Sequence, residues 1–177
     1  MTPRRRLGNA LTFMRSLLLL TAALLVGSGC SKKEAPSATQ EHAHPDASDA
    51  QARLVFKDAP PGDMLELIQR ERAQAEARGH KLVVYVGATW CMPCKVFHQA
   101  AVSGDLDAEL PPATFLEFDA DRDGDRIERA GYRSRYIPLF AIPGPDGKML
   151  RSIEGSIKGA GAAGEIAPRL RKLVEEG

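Results

Sequence analysis

Long apolar runs are almost missing from this chain. The run from Leu17 to Val26 is ten residues, about half of the roughly 20 that a membrane-spanning helix needs, and Arg15 blocks its extension upstream. A permanent transmembrane anchor is therefore not expected. Neither sign of charge is in excess: 24 basic residues face 23 acidic ones. Setting aside the four arginines of the first thirty residues leaves 20 against 23, a net charge of about −3, and nothing in that balance argues for a nucleic-acid partner. No internal repeat is present. Cysteine is scarce, at three residues, Cys30, Cys91 and Cys94, and Lys95 directly after Cys94 excludes the CxxCH pattern of a covalent haem site.

What the first thirty residues do contain is a basic start (Arg4, Arg5, Arg6, Arg15), the short apolar run, and Gly27-Ser28-Gly29 before Cys30. That is the layout of a secretory signal. Small residues followed by cysteine also resemble the lipobox of bacterial lipoproteins, although Gly27 stands where that pattern usually has Leu or Val. The resemblance implies a signal over residues 1–29, cleavage before Cys30, lipid on Cys30 and attachment to a bilayer on the exported, periplasmic side of the cell. Ser31, in place of the Asp that retains lipoproteins at the inner membrane, favours the outer membrane. With Cys30 so committed, only Cys91 and Cys94 remain as thiols, and a four-ligand zinc site of the cysteine-rich kind is out of reach.

Residues 31–51 contain no aliphatic side chain larger than Ala and no apolar periodicity, so residues 30–51 read as a disordered tether. Its reach is about 70 Å at full stretch and about 25 Å as a coil. From residue 52 to 177 the chain has the length of one domain with a real core. Arg53 to Phe56 reads as a short strand. Asp63 with Glu66 opens a helix in the manner of a capping box, with Leu65, Ile68 and Arg72 marking one helical face and Gly79 as its stop. Leu82 to Val86 is apolar throughout and β-branched, the pattern of a buried central strand. Pro93 opens a second helix that breaks at Ser103-Gly104. Thr114 to Phe118 is a second buried strand, and Asp125 to Ala130 is helical. Leu139 to Ile142 and Met149 to Ile153 form a hairpin about Gly144-Pro145-Asp146-Gly147, and a last helix covers Gly164 to Val174. Strands alternating with helices and closed by a hairpin predict an α/β sheet with helices on both faces.

The chemistry concentrates in KLVVYVGATWCMPCKVFH, residues 81–98. A buried strand that turns into a helix at Cys91 places this thiol among backbone N–H groups with no intrahelical acceptor, which favour the thiolate. Pro93 lies in the first turn, where its missing N–H costs nothing. Cys94 lies one turn on, within disulfide reach. Cys91 is thus the expected exposed nucleophile, with a pKa lowered towards about 7, and Cys94 the less accessible thiol that resolves a mixed disulfide. A structural staple is a poor alternative, because so short a loop constrains the unfolded chain little. A copper-binding or copper-delivering module using Cys91, Cys94 and Met92 or His98 is also compatible with the residues, since soft thiolates select Cu(I). So is a binding module whose cysteines are idle.

From Arg53 to Gly177 the sequence resembles the thioredoxin superfamily. The resemblance rests on KLVVYVGATWCMPCK, on AGYRSRYIPLF with Ile137-Pro138, on the hairpin PGPDGKM, and on Glu154-Gly155-Ser156. It implies the thioredoxin fold, a central mixed β-sheet flanked by helices on both faces, with no cofactor beyond a redox-active disulfide Cys91-Cys94 and no metal. In that family the Ile-Pro peptide is cis and faces the disulfide, so Pro138 is expected to be cis and to hold the backbone of Ile137 ready to pair with a substrate strand. Trp90 is expected to cover the rim of the disulfide, and Gly155 to leave room for the substrate backbone. The finer resemblance is to membrane-tethered periplasmic thioredoxin-like disulfide reductases, of the type found as the carboxy-terminal domain of the transmembrane disulfide reductase. It implies exported proteins with disulfides as substrates and a membrane thiol as electron donor.

Two departures matter. Where thioredoxin has a buried Asp, six residues before the first active-site cysteine, this chain has Tyr85, so deprotonation of Cys94 must fall to water, Lys95 or another group such as His98. Met92-Pro93 replaces Gly-Pro between the cysteines, a position that tunes the potential over about −270 to −120 mV in this family. Elsewhere, Asp119, Asp121 and Asp123 copy the first half of a calcium loop. The closing Glu is absent, since residue 130 is Ala, and a solvated turn leading into the next helix is the expected structure.

Overall fold

Asp63 shows how closely local sequence chemistry dictates this chain. Its carboxylate accepts the Glu66 N–H at 2.9 Å and starts helix α1, Met64–Ala77, which ends before Gly79 at a φ of +74°. The computed structural model describes residues 53–155 and 159–177. The signal segment (1–29), Cys30, the tether (30–51) and Ser156 lie outside the described residues. Among the described residues no helix is long and apolar enough to cross a membrane.

The elements follow in the order β1 (Leu54–Asp58), α1, β2 (Lys81–Gly87), α2 (Met92–Val102), β3 (Ala113–Asp119), α3 (Ala120–Arg129), β4 (Leu139–Pro143), β5 (Met149–Glu154) and α4 (Ala162–Glu176). They form one five-stranded sheet in the order β1-β3-β2-β4-β5. β1, β3 and β2 run parallel, while β4 and β5 are antiparallel to their neighbours. β2 is the central strand and is buried on both faces, which is why it reads as a continuous apolar run. Val83 and Tyr85 point into a core shared with Phe97 of α2 and Ile166 and Leu170 of α4. Leu82, Val84 and Val86 point the other way, towards Leu67 and Ile68 of α1 and Ile127 of α3. Under α2, Phe97 meets Phe140 edge-on at 4.7 Å between centroids and Phe115 at 5.8 Å, contacts worth about 0.5–1.5 kcal/mol each beyond their buried area.

Three expectations are corrected. The buried face of α1 is Met64, Leu67, Ile68, Glu71 and Ala75, not Leu65 and Arg72, because the helix begins at Met64 and its sheet-facing stripe is set by that start. The first strand runs on to Asp58, since pairing with β3 extends through Asp58 and Glu117. The helix expected from Asp125 begins at Ala120. Its cap is Asp119, whose Oδ1 accepts the N–H groups of Asp121 and Arg122, each at 2.9 Å.

The aspartates that copy half a calcium loop, expected as a solvated turn, are thus the cap and the first turn of α3. Asp123 is 5% exposed, accepts the Asp119 N–H at 2.9 Å and pairs with Arg122 and Arg126. Burial works against its charge, but the Arg122 and Asp119 N–H donors and the Arg126 charge outweigh it, so its carboxyl sits below the ordinary aspartate range. Arg126 also donates to the carbonyls of Pro60 and Ala59, at 2.7 and 3.2 Å, tying α3 to the loop after β1. An Asp123→Ala variant should lose about 2 kcal/mol in chemical denaturation at neutral pH, somewhat less than a fully buried pair because Arg122 is exposed. A folded-state pKa below the unfolded one gives stability present above the unfolded value, about 3.9, and lost as pH falls through the folded value. The difference between wild type and variant should shrink over that acid range.

Candidate active site

Cys91 is the N-cap of α2, and its Sγ accepts the Cys94 N–H at 3.2 Å. The turn that delivers it is closed by the Cys91 N–H on the Ala88 carbonyl at 3.1 Å, directly after β2 ends at Gly87. Pro93 lies in the first turn of the helix, so its lack of an N–H removes no intrahelical bond. Cys91 and Cys94 form a disulfide, with Cα atoms 5.3 Å apart. The expected contrast in exposure is absent in this oxidised state: Cys91 is 4% exposed and Cys94 3%. Both pack within the core layer that holds Tyr85 and Phe97, with Ala88 and Ile137 against it. What distinguishes the two sulfurs is their place on the helix: only Cys91 Sγ receives a backbone donor of the first turn.

Trp90 is 64% exposed, and its indole Nε1–H donates to Asp121 Oδ2 at 2.8 Å. It therefore stands at the surface beside the disulfide turn, held by the first turn of α3. Asp121 is a site residue that sequence reasoning placed in a solvated turn leading into the next helix; the clue was its position one helix start away from the strand end. Met92, between the cysteines, is also exposed, at 56%.

The Ile137-Pro138 peptide is cis. Leu139 pairs with Val86, so Ile137 and Pro138 are level with the end of β2 that leads to Cys91. Pro138 is buried and Ile137 half-buried, and Ile137 packs against the layer containing both cysteines. The Pro138 carbonyl accepts the Gly155 N–H at 2.9 Å. Among the described residues the backbone N–H and C=O of Ile137 have no hydrogen-bond partner, which leaves one donor and one acceptor beside the disulfide. Gly155 directly follows β5. Its φ is +67°, its carbonyl accepts Arg169 Nη1 at 3.1 Å, and a Cβ there would stand 3.1 Å from Tyr136 Cβ. Tyr136 borders the position a side chain would take, and Gly155 ties the end of β5 to Pro138 and to α4.

Beneath Cys94 the position expected to lack a carboxylate does so: the Tyr85 hydroxyl donates to the Cys94 carbonyl at 3.4 Å. Burial, and then the Glu117 charge, push the Tyr85 hydroxyl well above the ordinary phenol range, so it stays neutral. His98 Nε2 lies 3.5 Å from Glu117 Oε1, and its ring packs on Phe56 at 4.4 Å. Among the described residues no three His, Cys, Asp or Glu side chains are grouped so as to hold a metal ion.

No protein-family model matches this sequence, and no curated protein does. Solved structures do. Trichomonas vaginalis thioredoxin is 21% identical, over 71% of this chain and 98% of that one, with a TM-score of 0.44. Schistosoma mansoni thioredoxin is 21% identical, over 69% and 94%, with a TM-score of 0.45. Arabidopsis thaliana thioredoxin O1 in its oxidized state is 17% identical, over 68% and 97%, with a TM-score of 0.42. The strand order β1-β3-β2-β4-β5, the disulfide at the start of α2 and the cis peptide before β4 stand independently of these likenesses. The fold is the thioredoxin fold. Within it, the thioredoxin-fold domain presents a helix-capping disulfide flanked by an exposed tryptophan and an unpaired backbone segment.

Proposed function

We propose that the protein is a thiol-disulfide oxidoreductase that works through the Cys91-Cys94 pair. The observation that carries this reading is the position of Cys91 Sγ, which caps α2 and receives the Cys94 N–H; that donor and the helix end stabilise the thiolate that disulfide exchange requires. The unpaired backbone of Ile137 supplies the docking edge. A substrate strand laid there gains main-chain hydrogen bonds while its own disulfide comes level with Cys91. Trp90 and Met92 provide exposed apolar surface on either side of Cys91.

The direction of electron flow belongs to the same proposal: the reduced dithiol is the working form, and it reduces disulfides in exported proteins. The Trp-Cys start of the motif and Ile137 before Pro138 support that direction by resemblance to reducing thioredoxins. Anchorage through lipid on Cys30 rests on the sequence of the first thirty residues, and a membrane thiol as donor rests on the resemblance to membrane-tethered periplasmic disulfide reductases. Equilibration of the protein with glutathione buffers, read by alkylation and mass, tests the direction. A potential near thioredoxin's, about −270 mV, is expected, and one near −120 mV would mark an oxidant instead.

A further inference from the structure

We infer that Glu117, held by His98, accepts the proton of the Cys94 thiol when Cys94 resolves a mixed disulfide on Cys91; this rests on the oxidoreductase reading above. Cys94 is 3% exposed, and burial in apolar surroundings raises a thiol's pKa. Its proton needs an outlet. A cavity of about 520 Å³ reaches Cys94 and is lined as well by Tyr85, His98 and Glu117, roomy and polar enough for bridging water.

The groups facing Glu117 come from every element around that cavity, and most are unable to act as the base. Tyr85 on β2 is directly opposite Glu117 in register, and its hydroxyl is a neutral donor to the Cys94 carbonyl. Lys95 on α2 is an ammonium with donors only. Asp119 is engaged as the cap of α3, and Arg122 is bound to Asp123. Asp58, at the end of β1, is exposed and acts on Glu117 by repulsion. Glu117 itself has a side chain 21% exposed. Burial, the largest effect, raises its proton affinity above that of an ordinary glutamate; the charge of His98 offsets part of the rise, and Asp58 adds a smaller one. A carboxylate so adjusted takes a proton more readily near neutral pH than an exposed one. The carboxylate missing from β2 has its counterpart one strand over, on β3.

Cys91 Sγ is bonded to the substrate sulfur. The Cys94 S–H bond breaks, its proton passes through cavity water to Glu117, and Cys94 Sγ attacks Cys91 Sγ. The Cys91–substrate bond breaks, and the substrate sulfur leaves with the electron pair as a thiolate. Two electrons have moved from the dithiol to the substrate, and Glu117 returns its proton to solvent.

The test mixes the reduced full chain, carrying Cys30→Ser so that Cys91 and Cys94 are its two thiols, with one equivalent of dithiobis(nitrobenzoate). Attack by Cys91 releases one coloured thiolate, and resolution by Cys94 releases the second, so the two phases report the two steps separately. Glu117→Gln is expected to slow the second phase on the order of a hundredfold at neutral pH, to change its pH profile and to leave the first phase unaltered, with Glu117→Asp recovering part of the rate. His98→Gln should move the acid limb of the second phase to higher pH, because it removes the charge that lowers the proton affinity of Glu117. A second phase with wild-type rate and pH profile in Glu117→Gln overturns the inference, and so does equal slowing of both phases with profiles unchanged. If Glu117→Gln does not fold, the His98→Gln profile decides: a shifted limb supports the role and an unshifted one overturns it. Absence of a first or second release in the wild type would instead overturn the oxidoreductase reading.

Discussion

Cys91→Ser is expected to lower disulfide reduction by at least about a thousandfold, the scale of losing a nucleophile outright, whereas Cys94→Ser is expected to stall with substrate attached. The reason is the asymmetry of the helix start. Cys91 Sγ receives the N–H of the first turn, and Cys94 lies one turn further on, within disulfide distance of it. Without Cys94 the attack on a substrate disulfide still occurs, but no internal thiol completes the exchange. Non-reducing gels and intact mass should therefore show a mixed disulfide in Cys94→Ser and none in Cys91→Ser. The opposite pattern would reverse the roles. Because both cysteines are almost equally buried in the oxidised form, accessibility alone does not order them.

Gly147→Ala should be the most damaging single-methyl change in the hairpin, at about 3 kcal/mol and a fall in melting temperature of about 10 °C. Gly147 has a φ of +77°, a conformation that costs an alanine about 1–2 kcal/mol. A Cβ there would also lie 2.7 Å from the Leu65 carbonyl oxygen, a backbone atom of α1 that has little freedom to move; forcing such overlap costs a further 1–3 kcal/mol or so. The turn is fixed from the other side as well, since the buried Tyr132 hydroxyl donates to the Gly147 carbonyl at 2.6 Å. Gly124 is the internal control. It lies within α3 and a Cβ there meets nothing within 4 Å, so Gly124→Ala should stabilise by about 0.5–1 kcal/mol. Thermal and denaturant unfolding of the two variants should move in opposite directions.

What the sequence determined by itself was whatever depends on neighbours along the chain. The unbroken apolar run Leu82 to Val86 is a central strand because only a strand covered on both faces accepts such a run. Asp63 and Pro93 mark helix starts because capping and a missing N–H act within one turn, and the pairing of Cys91 with Cys94 needs no more than that same turn. Ile137-Pro138 was legible as a cis peptide only through resemblance, since the isomer depends on what packs around it. Tertiary structure decided the rest. That Tyr85 and Glu117 stand opposite one another follows from β2 and β3 pairing across 32 positions of chain, and no periodicity announces it. A lone glutamate in the strand Ala113–Asp119 was the available signal, yet its partner His98 comes from α2 and its repulsive neighbour Asp58 from the end of β1. Likewise the aspartates after β3 form a helix cap and an indole anchor for Trp90 where the sequence indicated only a solvated turn. Carboxylates take the nearest donors, and here those donors are the N–H groups of α3 and a side chain brought alongside by the end of β2.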